Sequence, residues 1–416
     1  MLKYKLEKVD VKMKRTESEE SSMDFSALEK EASRYENQLR AHRRALHQIP
    51  EVGYEEHETH AYLMEQLRAL APDDLKTYAE TGIRAVFRGD GTGRVIAFRS
   101  DIDALPISEK TGCAFASRHP GKMHACGHDN HMAMLLGAAH ILLEKKDELK
   151  GKVKFLLQSG EEMACGAKYY VDHHILDGVD AIFGQHIWGT LDAPYVCVAA
   201  GNRMASCDNF TIRVKGLQSH GSAPQDGHDA IVAASAIVMA LQTYVSRKNN
   251  PVNPLVVTVG KFHGGSMYNI ICPDVELVGT IRTYSRELRH DLEADLNKII
   301  KNTAEAHDCT AELEFSPMLP AVINEDHELN EIAQNAALKL FGPEGVNNEM
   351  PPLMGSEDFA LFMEKIPAFF AFIGSRNVEK GLIYTNHNEK YTVDESVLWR
   401  GSALTAQFAY DFLNNK

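Results

Sequence analysis

The spacing of hydrophobic and polar residues predicts alternating helices and strands along the first half of the chain. Apolar residues recur at helical spacing from Met23 to His47 and from Glu55 to Leu70. Two short apolar runs follow, at 83–87 and 95–98, and the glycine-rich segment between them predicts a hairpin or a tight strand connection. The other elements predicted in this half are a helix ending at 144 and strands at 153–157 and 181–183.

The pattern changes near Met204 and changes back after Pro317. Between these residues it predicts a compact α+β unit, with strands at 208–215, 255–262, 275–283 and 310–315 and helices at 229–246 and 286–306. After Pro317 it predicts helices at 329–340 and 394–413 and a buried strand at 368–373. We therefore predict an α/β sheet domain made of residues 23–203 and 317–416, which a smaller α+β domain at 204–316 interrupts. Residues 1–22 are predicted to form a poorly ordered extension.

Composition and charge narrow the class of protein. A chain of 416 residues favours two domains. The 58 acidic and 44 basic residues give a net charge of −14, which disfavours binding to nucleic acid or to an anionic membrane. The seven cysteines are scattered and odd in number, as is typical of reduced thiols in a cytoplasm. No apolar run suggests a membrane span, so we expect a cytoplasmic protein.

The densest group of reactive side chains lies between Met123 and His131. It contains one thiol, three imidazoles and one carboxylate. A thiolate and an imidazole two residues apart, as in Cys126 and His128, suit a borderline metal such as zinc. Asp129 is a candidate for orienting a metal-binding imidazole without binding the metal itself. In the alternative interpretation, Cys126 is an inert buried thiol and the histidines lie on a polar helix face. Each residue alone favours that alternative, whereas the cluster favours a metal site.

Further polar residues follow the predicted strands of the α/β domain. Asp101 and Asp103 come just after the strand at 95–98, and Glu161 and Glu162 come just after the strand at 153–157. His186 follows the next predicted strand. Ligands collect at the carboxyl ends of strands in open α/β sheets, so we expect these side chains to meet at one edge.

These candidates together suit a dinuclear metal site. One thiolate, one carboxylate and three imidazoles would supply most ligands of two divalent ions, the third imidazole coming from His387. Because neighbouring residues of an extended chain point to opposite sides, one of the two glutamates would coordinate and the other would act as general base. In the alternative interpretation, the glutamates lie on a solvated face and His387 is a solvated loop residue.

Several motifs resemble those of the M20 metallopeptidase superfamily. They include His124-Ala125-Cys126-Gly127-His128-Asp129, Glu161-Glu162, Ser219-His220-Gly221-Ser222-Ala223-Pro224, Gly279-Thr280-Ile281-Arg282 and Gly355-Ser356-Glu357-Asp358-Phe359. The most similar branch is the amidohydrolase subfamily, which contains N-acyl-amino-acid, hippurate and auxin-conjugate hydrolases and related carboxypeptidases. The resemblance runs from about Asn37 to the C-terminus.

This resemblance implies a catalytic α/β domain interrupted by an α+β lid that also dimerises. It implies that Cys126 bridges two metals. His128 and His186 would complete one metal site, and Glu162 and His387 would complete the other. The two divalent ions would be zinc or manganese, with cobalt or nickel as alternatives.

The resemblance also assigns roles to four residues that are not ligands. Glu161 would be the general base. His220 of the lid would stabilise the developing oxyanion, either in its own subunit or in its partner, and Asn269 and Arg282 would hold the substrate carboxylate.

The chain departs from the family pattern beside these residues. Gly189 stands where the usual His-x-x-Pro segment has proline. Met163-Ala164-Cys165-Gly166 replaces a glycine-rich segment, and His387-Asn388-Glu389-Lys390-Tyr391 replaces His-x-Pro-x-Phe. These changes flank the ligands, so they bear on substrate preference. Trp188 and Cys165 either shape an acyl pocket or only pack.

The leading hypothesis is a dinuclear-metal hydrolase that cleaves the amide bond of N-acyl-L-amino acids and forms a homodimer through the lid. A second hypothesis is a dipeptidase or metallocarboxypeptidase. The third, from another class, is a non-catalytic metal-stabilised dimer, which the presence of Glu161 and of every ligand disfavours. Neither a nucleic acid nor a membrane is expected as a partner.

Overall fold

The computed structural model describes residues 34–414 of the chain. The α-helices in this range are α1 (Glu36–His47), α2 (His57–Ala69), α3 (His128–Glu144), α4 (Gly166–Asp172), α5 (Ala230–Thr243), α6 (Arg286–Glu305), α7 (His327–Phe341), α8 (Ala360–Met363) and α9 (Leu398–Asn414). The strands are β1 (Asp74–Tyr78), β2 (Gly82–Arg88), β3 (Val95–Asp101), β4 (Lys152–Gln158), β5 (Ala181–Asp192), β6 (Val196–Cys197), β7 (Gly201–Met204), β8 (Cys207–Lys215), β9 (Leu255–Gly264), β10 (Asp274–Thr283), β11 (Thr310–Leu319), β12 (Val322–Asn324) and β13 (Ala368–Arg376).

The largest sheet is mixed and has seven strands in the order β1-β2-β4-β3-β5-β13-β6. The four central strands run parallel to one another, and the outer strands are antiparallel to their neighbours. Alternate residues of each central strand belong to different hydrophobic cores: Phe369 packs with α1, α3, α7 and α9, whereas Phe370 packs with α4 and α8. Helices thus cover both faces, which explains why the central strands are apolar along nearly their whole length.

A second sheet, with order β11-β8-β10-β9, is antiparallel throughout and carries α5 and α6. Its core is separate from the cores of the large sheet and includes Ile212, Ile237, Leu277 and Ile300. The short pair β7–β12 lies where the chain leaves the large sheet for the second sheet and where it returns. The predicted fold class, an α/β sheet interrupted by a smaller α+β unit, is confirmed.

Of the two alternatives predicted between the runs at 83–87 and 95–98, the hairpin is wrong, whereas a short connection at 89–94 does join the two strands. β4 lies between β2 and β3, antiparallel to the former and parallel to the latter. Because β4 is buried along most of its length, it takes a central place that local turn residues cannot reveal. The pattern also failed to predict the short strands β1, β6, β7 and β12. Of the helix predicted from Met23, residues 23–33 lie outside the described range, as do residues 1–22.

One helical segment contradicts the prediction that the chain has no apolar run suggestive of a membrane span. Ala230–Lys248, which is α5 and the π-helical turn after it, has the length and the mean hydropathy (1.4) of a candidate span. A core helix of a water-soluble protein passes the same test. One face of α5 packs on the second sheet through residues such as Ala233 and Ile237, so this segment is weak evidence for a membrane.

Candidate active site

The backbone around Gly127 brings the first two candidate ligands to the middle of β5, which continues through His186 instead of ending before it as predicted. Gly127 has φ 100°, a left-handed conformation that favours glycine, and it immediately precedes α3. A Cβ atom there would lie 2.6 Å from the side chain of Ile187 on β5. This close approach sets Cys126 and His128 beside His186, which precedes Ile187 on the strand.

The structure brings Cys126, His128 and His186 into one buried group. The Cys126 Sγ atom lies 3.4 Å from His186 Nε2, and the candidate donor atoms of all three residues lie within 4.8 Å of one another. A thiolate with two imidazoles is a donor set typical of zinc sites.

Cys126 also belongs to a second group, with Glu162 and His387. The His387 Nε2 atom lies 3.3 Å from Cys126 Sγ and 3.4 Å from Glu162 Oε1. His387 reaches this position from a loop in which its own φ is 68° and its N–H donates to the carbonyl of Ala125 at 2.8 Å. The structure therefore brings together all five ligands named from the sequence, and the thiol is common to both groups.

Two buried hydrogen bonds orient the imidazoles toward this centre. His128 Nδ1 donates to the carbonyl of Asp103 at 2.8 Å, and His186 Nδ1 donates to the carbonyl of Ile187 at 2.7 Å. When a ring is neutral, as a metal-binding imidazole must be, its Nε2 lone pair faces the other donors. Among the described residues, His128 Nε2 and Glu162 Oε1 are buried and form no hydrogen bond, although Glu162 Oε1 lies 3.4 Å from His387 Nε2. Orphaned polar atoms of this kind fit metal coordination, so the residues fit a pair of divalent ions.

A further histidine, His131, was in the motif but was not assigned a role from the sequence. Its Nδ1 lies 2.6 Å from Asp101 Oδ1, and its Nε2 accepts from the N–H of Ile187 at 2.8 Å. Asp101 and Asp103 thus support histidines at the strand edge where they were expected. Asp129 does not orient an imidazole of this centre, because its carboxylate contacts His47 Nδ1 instead, at 2.7 Å.

Burial and charge shift the pKa values at the centre in opposite directions. Burial, reinforced by Glu357, raises the pKa of Glu161 well above its usual value. Burial also raises the pKa of the Cys126 thiol and lowers that of His186, which keeps this imidazole neutral. Although burial opposes it, the charge of Asp101 raises the pKa of His128 to about 10. The electrostatics of this cluster therefore favour the binding of a cation, and a bound cation would stabilise the thiolate form of Cys126.

A cavity of about 530 Å³ opens beside these residues. Glu161 and Trp188 line it, and so does Arg282, which β10 of the second sheet contributes. Arg282 Nη1 donates to Ser356 Oγ at 3.0 Å, so a guanidinium faces the same space as the ligands. Cys165 does not line the cavity; its Sγ lies 3.6 Å from the hydroxyl of Tyr54.

The structure does not bring His220 and Asn269 to this cavity. Both are exposed, and they lie together because the N–H of Gly221 donates to the carbonyl of Asn269 at 2.8 Å. Asn269 precedes β10, whereas Arg282 lies near its end, and ten residues of strand span about 30 Å. The Nδ1 atom of His220 accepts from the N–H of Ser222 at 3.0 Å, so in the neutral ring Nε2 carries the proton.

Comparisons with known proteins cover most of the chain. Residues 97–411 match peptidase family M20/M25/M40. The chain is 36% identical over 400 residues to N-acetyl-L-cysteine deacetylase of Bacillus subtilis, covering 95% of this chain and 92% of that protein. It is 36% identical over 375 residues to the IAA-amino acid hydrolase ILR1-like 4 of Arabidopsis thaliana, covering 89% and 84%.

A solved structure extends the likeness to the whole fold. The YXEP protein of Bacillus subtilis, described as a dinuclear metal binding peptidase from the M20 family, superposes with a TM-score of 0.82 at 34% identity. The match covers 92% of this chain and all of that one. The chain therefore belongs to peptidase family M20/M25/M40 and is a metal-dependent amidohydrolase.

Proposed function

We propose that this protein hydrolyses the amide bond of N-acyl-L-amino acids with two divalent metal ions, zinc or manganese. The observation that carries the proposal is the shared position of Cys126 between two donor groups, with Glu161 beside the same cavity, outside these two groups but within 4.8 Å of donor atoms of His128 and Glu162. Cys126 would bridge the ions, His128 and His186 would hold one, and Glu162 and His387 would hold the other. When bound, the ions supply Lewis acidity toward the substrate carbonyl and increase the acidity of water.

Glu161 is the proposed general base. Its carboxylate borders the cavity without belonging to either of the two donor groups around Cys126. A carboxyl whose pKa burial raises is more basic than an ordinary glutamate, so it takes a proton from the attacking water and passes it to the leaving nitrogen.

The cavity also supports the choice of substrate class. Arg282 presents a guanidinium suited to the free carboxylate of an amino acid, and Trp188 offers an apolar wall for the acyl group. The two curated relatives described above are named for a deacetylase and for an amino-acid-conjugate hydrolase, which favours N-acyl substrates. The alternative, a dipeptidase or metallocarboxypeptidase, is favoured by the description of the solved relative as a peptidase.

We also propose that residues 204–316 form a lid through which two copies associate. Exposed apolar side chains on and near α5 and β9 include Val232 (50% exposed), Met239 (68%), Phe262 (45%) and Tyr268 (97%). Tyr268 immediately precedes Asn269, so association through this face would carry the His220–Asn269 pair to the cavity of the other copy, where His220 would stabilise the oxyanion.

The proposed location of this enzyme is the cytoplasm, because all seven cysteines are free thiols.

The deciding experiment measures amine release from a panel of N-acyl-L-amino acids and dipeptides, after chelation and again after zinc or manganese is added back. Metal-restored cleavage of the N-acyl substrates alone is the expected result. Cleavage of the dipeptides alone would replace this proposal with the peptidase alternative. Metal binding without turnover of either class would contradict both.

A further inference from the structure

A second group of metal-type donors lies outside the active-site cavity. It consists of His47 at the end of α1 and of Glu109 and Cys113 in the segment between β3 and α3. His47 Nε2 lies 3.3 Å from Glu109 Oε1, and Cys113 Sγ lies 3.6 Å from the same oxygen. The three donor atoms lie within 4.8 Å of one another, and none of these residues lines the cavity.

These separations match the edges of a tetrahedral zinc site. Zinc binds nitrogen and oxygen at about 2.0–2.2 Å and sulfur at about 2.3 Å, so tetrahedral angles put nitrogen and oxygen about 3.4 Å apart and oxygen and sulfur about 3.6 Å apart. Ordinary hydrogen bonds from imidazole nitrogen to carboxylate are shorter, near 2.7–3.0 Å. The contacts of Glu109 Oε1 with His47 and Cys113 are therefore spaced more like those between ligands of one ion than like strong hydrogen bonds. The same oxygen also accepts a hydrogen bond from the hydroxyl of Thr111, which helps to hold it in place.

The groups behind these donors hold them in place. Asp129 Oδ2 lies 2.7 Å from His47 Nδ1 and forms an ion pair with Arg43, whose Nε lies 2.9 Å away. A carboxylate on the far nitrogen is the usual support of a metal-binding histidine, and it turns Nε2 toward Glu109. The other oxygen of Glu109 accepts from the N–H of Ser117 at 2.6 Å.

Burial and access also suit an ion at this position. The side chains of His47 and Glu109 are 1% and 5% exposed, whereas Cys113 is half-buried and leaves a route from solvent. A carboxylate and a thiolate would neutralise the charge of a divalent ion, which limits the cost of burying it. The nearby ring of His124, with its centre 6.4 Å from that of His47, is buried, and neither of its nitrogens has a hydrogen-bond partner within residues 34–414.

We propose that His47, Glu109 and Cys113 bind a third metal ion, a divalent cation that accepts thiolate ligands, as zinc does, with water as the fourth ligand. The ion would join the segment around 109–117 to α1, beside the first turn of α3. It is a structural site that takes no part in turnover.

The test is the number of zinc ions bound per chain, measured by elemental analysis after reconstitution of the full-length protein and gel filtration. Wild type is expected to hold three ions, and Cys113→Ala and Glu109→Gln are each expected to hold two, with turnover unchanged. Cys309→Ala, which removes a buried thiol of the second sheet's core, should still hold three. Thermal unfolding with and without zinc then shows whether the two variants fold.

Two results would overturn this proposal: two ions in wild type, or three ions in both folded variants. Either result would leave His47 and Glu109 as a hydrogen-bonded pair. Cys126→Ala separates this site from the active site. If the active-site proposal fails, Cys126→Ala keeps the zinc content of wild type. If the third site fails, loss of Cys113 alone leaves the zinc content unchanged.

Discussion

The backbone N–H of Gly189 donates to the side-chain oxygen of Asn386 at 2.9 Å. Asn386 Nδ2 in turn donates to the carbonyl of Cys126 at 2.7 Å. A Cβ atom on Gly189 would lie 3.0 Å from the backbone of Thr385, so a larger residue would push the loop away. The His-x-x-Pro segment usual in this family has proline at this position, and proline would also lack the N–H that donates to Asn386. The glycine thus allows Asn386 to hold the loop of His387 against β5.

We expect Asn386→Leu to weaken metal binding, because it removes the hydrogen bonds that fix the His387 loop. The loss should be about 10- to 100-fold in affinity for one of the two ions, as for other residues that orient ligands. Competition with a chromophoric chelator measures it. Asn388→Leu is the matched control, because within the described part of the chain the side chain of Asn388 accepts from the N–H of Lys390 and not from a group that holds the loop to β5. Equal affinities in the two variants would exclude a positioning role for Asn386.

Glu161→Gln should retain both metal ions and the fold but lose turnover by about 10²–10⁴-fold, because the amide cannot accept the proton of water. Steady-state rates and metal content check this together. Glu389→Gln, which alters an exposed partner of Lys110, should keep the wild-type rate. A wild-type rate in Glu161→Gln would remove this residue as the base.

Cys126→Ala should reduce the number of bound ions and the rate together, since its sulfur lies in both donor groups. Elemental analysis and activity on one preparation check the prediction. Cys165→Ala serves as the control, because its thiol faces Tyr54 rather than the ligands. Unchanged metal content in Cys126→Ala would show that the thiol is not a ligand.

Arg282→Ala should raise KM for substrates with a free carboxylate by about 10-fold or more, the value of one charge-assisted contact. An esterified analogue should be affected much less, since it offers no carboxylate. Arg213→Ala is the control on the same sheet, where the guanidinium pairs with Glu314. It should leave the KM of both the acid and the ester unchanged. Equal increases for acid and ester would argue against carboxylate binding.

Mixing two inactive variants tests whether His220 acts across the dimer. If it does, co-refolded His220→Ala and Glu161→Gln subunits should recover about one quarter of wild-type activity, because half of the dimers are mixed and each has one intact site. Each variant alone stays inactive. No recovery from a mixture that sedimentation shows to be dimeric would mean that His220 acts in its own subunit or not at all.

The sequence alone determined the fold class and offered six candidate site residues, and the resemblance of its motifs to a known family implied which five would be ligands. Both kinds of signal are local. Hydrophobic periodicity reports which face of an element is buried, and spacing within a motif such as Cys126-Gly127-His128 limits which donors can meet. The same local information predicted Glu161 and Glu162 just after a strand, and β4 does end at Gln158.

Only the tertiary structure decided which distant side chains meet. Strand order inserted β4 between β2 and β3, and the Gly189–Asn386 contact brought His387 to Cys126 across 261 residues of sequence. The tertiary structure also places His220 and Asn269 away from the cavity that Arg282 lines. In addition, it brings His47, Glu109 and Cys113 together outside that cavity. These relationships depend on packing between elements far apart in the chain, which no local pattern of residues encodes.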